Sequence, residues 1–236
     1  MEETKGTDHV LWPTADEGPV GERRYEFEEV FAVGGLGVVR RAYDRRLGRI
    51  VAVKELQNAD TESVRRFVRE AVITARLQHP AIVPLYDIGR HEDGEPYYCM
   101  KMIDGKSLDQ VIAEREKFSE RLALVEHVRA AADAIAYAHL NRVIHRDLKP
   151  ANILVGDLGE TVVIDWGLAK DLSITSEDDE MSESLTAICS DELTEMGTVM
   201  GTLRYMPPEQ AQGVSVDERS DVFALGAVLF HVLAGR

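Results

Sequence analysis

The chain has 236 residues, 44% of them hydrophobic, which is enough to bury a sizeable core as one large domain or two small ones. A formal charge of −15 argues against a nucleic-acid binder, whose phosphate contacts need a basic face. No run of about 18 uncharged apolar residues occurs and the start, MEETKGTDHV, lacks the basic-then-apolar order of a secretory signal, so a cytoplasmic chain is expected, a membrane segment in a longer parent chain being left open.

Residues 1–24 are polar, hold Pro13 and Pro19, and read as a flexible leader. From Tyr25 the pattern is strand-like, through Phe27, the glycines Gly34, Gly35 and Gly37, Val38-Val39 and Ile50 to Val53, which predicts an antiparallel meander. Val64, Phe67, Val68, Ala71, Val72 and Ala75 give Thr61 to Gln78 the spacing of an amphipathic helix, ended by His79-Pro80. Two apolar runs, Ala81 to Ile88 and Tyr97 to Ile103, flank Glu92-Asp93-Gly94-Glu95-Pro96 and predict a hairpin. After Asp104-Gly105 the pattern turns helical, over Leu108 to Glu116, Glu120 to Leu140 as one long Ala-rich helix with an interior that can be almost fully buried, and Ser220 to Ala234. A β-rich lobe with one helix is thus expected over 25–103 and a helical lobe over 104–236, an α+β fold.

Cys99 and Cys189 are the only cysteines, with no CxxC pair or His cluster, which disfavours a disulfide framework or a zinc site. The acidic excess is uneven. Nine acids and no Lys or Arg lie between Asp171 and Glu195, and the segment reads as a surface insert.

The chemistry-bearing stretch is His145-Arg146-Asp147-Leu148-Lys149-Pro150-Ala151-Asn152, followed thirteen positions on by Asp165-Trp166-Gly167. It sets a base candidate, a phosphate-reaching cation and a metal-ligand amide in eight residues, then adds a carboxylate after two short apolar runs that can pair as strands. Upstream, Ala32-x-Gly34-x-x-Gly37-x-Val39 precedes Val51-Ala52-Val53-Lys54. Glycines there let a hairpin backbone approach phosphates without Cβ interference, although a glycine hairpin alone is more often a plain turn. Glu70 falls beside Phe67 and Ala71 on the apolar face of its helix, where a carboxylate without a counter-charge would be costly. A Lys54–Glu70 ion pair would satisfy both groups; a surface glutamate is the bland alternative.

In this order the motifs resemble the eukaryotic-like (Hanks-type) serine/threonine protein kinases, especially their bacterial branch, from about Tyr25 to Arg236. The resemblance implies a two-lobed fold, ATP and Mg²⁺ as cofactors, and transfer of the γ-phosphate to Ser or Thr hydroxyls of protein substrates. By it, Asp147 orients and deprotonates the hydroxyl, Lys149 steadies the γ-phosphate, and Asn152 and Asp165 hold Mg²⁺. Ala32, Gly34, Gly37, Lys54 and Glu70 would serve the ATP phosphates, and Val39, Ala52 and Leu154 the adenine. Met100 would be the gatekeeper, and Lys101 and Ile103 would read the adenine edge through their backbone. Lys149 matches the serine/threonine side of the family.

Two positions depart from its pattern: Trp166 for the usual Phe, expected to pack against His145 and the Glu70 helix, and Ala32 for the first loop glycine. Residues 165–209 match the activation segment, with Thr194 or Thr198 as the phosphorylation candidate, Arg146 as its guanidinium partner, and room for dimerisation in trans-autophosphorylation. Asp221 resembles the family's buried anchor of the catalytic loop; a helix N-cap would explain it as well. Family members continue for several helices beyond the position of Arg236, so a truncated catalytic domain is expected, with Glu209 short of a partner and the last helix short of cover. A nucleotide-binding pseudokinase scaffold or a fragment of a longer kinase is the alternative.

Overall fold

In the computed structural model, the described residues are 24–34, 37–57, 60–173 and 203–235. The candidates Thr194 and Thr198, and most of the acidic insert, lie outside them. Internal packing divides the chain into two units, one of residues up to 68 with 85–102, the other of 69–84 with 103–236. Each is described by itself.

The first unit is a five-stranded antiparallel sheet, in the order β1-β2-β3-β5-β4, of β1 (Tyr25–Gly34), β2 (Gly37–Asp44), β3 (Arg49–Leu56), β4 (Leu85–Arg90) and β5 (Pro96–Lys101). The meander and the hairpin about Gly94 form as expected, Gly94 taking φ 91° in the turn. Tyr25, Ala42, Val51, Val53, Tyr97 and Cys99 make its core. At the end of β2, Asp44 is fully buried; it accepts from the backbone N–H of Arg46 and Leu47 and pairs with Arg24, which also binds Asp87. The predicted strand from Ala81 begins instead at Leu85. Pro84 cannot donate to a ladder, and residues 81–83 bond to Val163 of the other unit's hairpin, Val163 N–H to Ala81 O at 2.8 Å and Val83 N–H to Val163 O at 3.2 Å.

Helix α1 (Thr61–Arg76) begins where expected and is capped by Asp60, whose carboxylate accepts from the N–H of Glu62 and Ser63. Its C-terminal half belongs to the second unit, which continues with β6 (Gly105–Ser107), α2 (Leu108–Ala113), α3 (Phe118–Leu122), α4 (Val125–Leu140), β7 (Val143–Ile144), a 3-10 turn at Pro150–Asn152, β8 (Ile153–Gly156), β9 (Thr161–Val163), β10 (Lys170–Asp171), α5 (Pro208–Ala211) and α6 (Glu218–Ala234).

The single helix expected over Glu120 to Leu140 is two. Around Leu124 the hydrogen bonds tighten to the i→i+3 type, Leu124 N–H to Arg121 O and His127 N–H to Leu124 O, while Arg121 Nη1 donates to the Arg115 and Glu116 carbonyls. Nor is α4 buried all round: it buries Val128, Ala131, Ala134, Ile135 and Ala138 and exposes the opposite face. Those small residues share one core with Ala224, Val228 and Val232 of α6, so the two helix backbones approach closely. Elsewhere α6 exposes Val222, Phe223 and Phe230, an apolar face without cover among the described residues, as expected. Its N-cap is Asp217, three residues before the predicted start; the side chain accepts from Arg219 N–H.

Candidate active site

The catalytic stretch is placed by β7 and by the β8–β9 hairpin. β7 pairs with β10 through Ile144↔Lys170 and Val143↔Asp171, and the chain then passes directly into His145. At its far end, Asn152 accepts from Ile164 N–H at 3.0 Å, and Ile153 pairs with Val163. The strand pair foreseen for the metal-ligand candidates therefore forms, with Asn152 at the head of one strand and Asp165 just past the end of the other.

Asp147, Lys149 and Asn152 converge. Lys149 Nζ lies 2.8 Å from Asp147 Oδ2, and Asn152 Nδ2 donates to the same oxygen at 3.1 Å and to the Asp147 carbonyl at 2.8 Å. Using its N–H₂ in this way leaves the Asn152 carbonyl oxygen as its acceptor. His145 is fully buried between the two segments. Its Nδ1 accepts from Asp147 N–H at 3.3 Å while Nε2 faces the Ile164 carbonyl at 3.2 Å, an arrangement that fits the tautomer protonated on Nε2.

Beneath them sits Asp221, fully buried in the first turn of α6. One oxygen accepts from His145 N–H and faces His139 Nε2, both at 2.8 Å; the other accepts from Arg146 N–H at 2.9 Å. Burial pushes its carboxyl up, but His139, His145 and the two backbone donors outweigh burial and hold it below the usual range. Of the two readings of Asp221, the anchor is the one formed, since Asp217 holds the N-cap.

Arg146 and Asp165 both take left-handed backbone angles, φ 67° and 63°, which for residues with a Cβ cost about 1–2 kcal/mol each. Trp166 is 1% exposed, with its ring 4.6 Å from that of His145 and in one core with Ile73 and Leu77, as expected of the large apolar replacement. The Trp166 indole N–H finds no acceptor among the described residues. Gly167 explains itself sterically: a Cβ there would lie 3.3 Å from both Asp165 Oδ1 and Glu70 Oε2. Glu70 is itself 2% exposed, so the surface-glutamate reading fails.

In the first unit, Ala32 pairs with Val39, Val39 with Lys54 and Ala52 with Met100, which puts all five on one face of the sheet. Lys54 is 9% exposed and lies 5.7 Å from the Tyr98 ring. Lys101 ends β5, and Gly34 and Gly37 close the β1–β2 hairpin. In the second unit, Ile103 precedes β6, and Leu154 is half-buried on β8 opposite Ser107 and Val162.

Three contacts were not foreseen. Asp171, counted among the solvated acids, is 1% exposed and paired with Arg76 of α1 at 2.6 Å, while Ser173 N–H and Oγ bond its other oxygen. Ser220 Oγ donates to Glu209 at 3.2 Å, giving Glu209 a partner the sequence did not suggest. Gln210 Nε2 donates to the Arg146 carbonyl at 2.9 Å. They join positions 95, 11 and 64 residues apart, beyond the reach of strand or helix periodicity.

A base candidate held by a lysine and an amide, in a loop anchored by a buried aspartate and followed by a strained Asp-x-Gly triplet, is the arrangement that kinase-type phosphoryl transfer requires. The comparisons agree. Residues 25–236 match the protein kinase domain model, and the chain belongs to that family. It is 36% identical over 232 residues to the serine/threonine-protein kinase PknD of Protochlamydia amoebophila, covering 91% of this chain and 23% of that protein. It is 38% identical over 218 residues to the serine/threonine-protein kinase PknB of Mycobacterium tuberculosis, covering 90% of this chain and 32% of that protein. The chain thus spans less than a third of the length of each of these curated relatives, and it stands on the bacterial serine/threonine branch. A kinase domain implies ATP and typically Mg²⁺, with protein substrates. No helix among the described residues is long and apolar enough to cross a membrane.

Proposed function

We propose that this chain transfers the γ-phosphate of ATP to Ser or Thr hydroxyls of proteins, with Mg²⁺ as the metal. The observation that carries the proposal is the Asp147 carboxylate, fixed by Lys149 and Asn152 and following the two residues, His145 and Arg146, whose backbone Asp221 holds. Asp147 orients the attacking hydroxyl and takes its proton. Lys149, beside that carboxylate, faces the charge that develops on the transferred group, and Lys54 neutralises the other phosphates.

The donor set fits Mg²⁺. No group of three or more His, Cys, Asp or Glu that could hold a metal exists among the described residues. What is present, an amide oxygen from Asn152 and a carboxylate from Asp165, is what this hard cation uses when phosphates and water complete its shell. When bound, the metal neutralises phosphate charge.

The remaining assignments are ours on the same footing: Ala32, Gly34, Gly37 and Glu70 at the phosphates, Val39, Ala52 and Leu154 at the adenine, and Lys101 and Ile103 at its edge. Thr194 or Thr198 is the proposed autophosphorylation site, modified in trans by a second copy. Labelled ATP and Mg²⁺ supply the test. The chain should label itself or a generic protein, and Asp147→Asn should abolish labelling; activity untouched by that change would sink the proposal.

A further inference from the structure

Arg146 is gripped on both sides of its strained backbone. Its N–H donates to Asp221 Oδ1 at 2.9 Å, and its carbonyl accepts from Gln210 Nε2 at 2.9 Å. The two gripping residues are themselves joined by their neighbours, because Ser220, which precedes Asp221, donates through Oγ to Glu209, which precedes Gln210, at 3.2 Å. Arg146, Asp221, Ser220, Glu209 and Gln210 therefore form a closed ring of hydrogen bonds and peptide links around one residue.

That residue holds φ 67°, a conformation that relaxes unless its surroundings over-determine it. The carbonyl held by Gln210 belongs to the peptide that leads into Asp147, whose N–H is taken by His145 Nδ1. Both ends of that peptide are thus fixed. Asp221 sets one side of Arg146 through a rigid helix, whereas the other side depends on a single amide in α5, a helix of four residues.

We propose that Gln210 is a positioning residue for phosphoryl transfer: it closes the ring around Arg146 and thereby sets the direction of the Asp147 carboxylate, coupling α5 to the proton-accepting group. The inference deepens the kinase reading and rests on it. Gln210 touches no substrate. Its effect runs through the peptide between Arg146 and Asp147, so its loss lowers turnover and leaves nucleotide affinity intact.

Gln210→Glu keeps the volume and removes the donor; Gln210→Ala removes both. With the full 236-residue chain, both variants should lose about tenfold in kcat, the worth of one such hydrogen bond, with KM for ATP and Tm near the wild type. The kcat of Gln210→Glu relative to wild type should recover as pH falls through the carboxyl range, because a protonated carboxyl donates again, while that of Gln210→Ala stays flat. Amide hydrogen exchange over residues 143–150 should quicken in both.

Unchanged kcat, a loss confined to KM, or parallel pH profiles for the two variants would overturn the inference. If the wild-type chain proves inactive the kinase reading fails, and exchange alone decides: faster exchange over 143–150 supports the ring, and unchanged exchange refutes it. Should Gln210→Ala not fold, the near-isosteric Gln210→Glu carries both readouts.

Discussion

Lys149 Nζ and Asp147 Oδ2 are 2.8 Å apart, and Asn152 Nδ2 shares that oxygen. With two donors on Oδ2, the proposed proton transfer falls to the other carboxylate oxygen. Replacing Lys149 by Met removes the cation and keeps most of the length of the side chain. Loss of one preorganised charge at developing phosphate charge costs about a hundredfold in kcat, with KM for ATP little altered. Steady-state kinetics with a generic protein substrate test this, and an unchanged kcat would remove Lys149 from the transfer step.

Asp221→Asn should cost about 3 kcal/mol of unfolding free energy, because an amide cannot accept on both sides as the carboxylate does for His145 and Arg146. The pH dependence follows from the depressed carboxyl. Its contribution is fully present above the unfolded value, about 3.9, and is lost as pH falls through the lower folded value. Urea unfolding of both proteins should show a constant gap from pH 7 down to about 4 and a narrowing only below that.

The two hairpin glycines should separate stability from binding. A Cβ on Gly37 would lie 2.0 Å from the Glu55 carbonyl oxygen, a backbone clash that side-chain movement cannot relieve, so Gly37→Ala should cost about 3 kcal/mol or more. A Cβ on Gly34 meets nothing nearer than the Gly37 carbonyl oxygen at 3.9 Å. Gly34→Ala should leave Tm within a degree or so of wild type, on the scale of a neutral surface change, while weakening ATP binding. Thermal melts with and without nucleotide distinguish the two; equal destabilisation by both would contradict this.

His91 Nε2 lies 2.9 Å from Glu55 Oε1, and its ring packs on Phe27 and Tyr97. The adjacent carboxylate raises the imidazole pKa, partial burial opposing it. A raised folded value stabilises fully below the unfolded value, about 6.5, and the contribution disappears as pH rises through the folded value. The pair is partly exposed, so under about 1 kcal/mol is at stake. The Tm advantage over His91→Gln should be largest near pH 6 and smallest above pH 8. An advantage growing with pH would invert the assignment.

The parts of this molecule that could be read from its residues are those in which local pattern and final structure coincide. Alternation placed the meander, helical spacing placed α1 from Thr61, and Asp147, Lys149 and Asn152, within five residues of one another, meet as their motif suggests. The misses fall where hydrogen bonding or packing departs from the local pattern. Ala81 to Val83 look like the start of a strand, but Pro84 and the pull of Val163 hold them in the other unit. Leu122 to Val125 keep helical periodicity through a change of hydrogen bonding that apolar spacing does not register. Asp171 looks like one more solvated acid until Arg76, 95 positions away, buries and pairs it. Partners at such distances are chosen by tertiary packing, which no window along the chain contains.

Trp166 has one further consequence. The chain holds two tryptophans, and the other, Trp12, lies outside the described residues. A Trp12→Phe chain would emit from a single indole, sealed against His145 at the centre of the Asp165 triplet. Its fluorescence should be blue while the triplet is seated and redden when the ring meets water. The residue that sets this chain apart from the family's usual phenylalanine thus gives it a built-in optical readout of whether that triplet is seated.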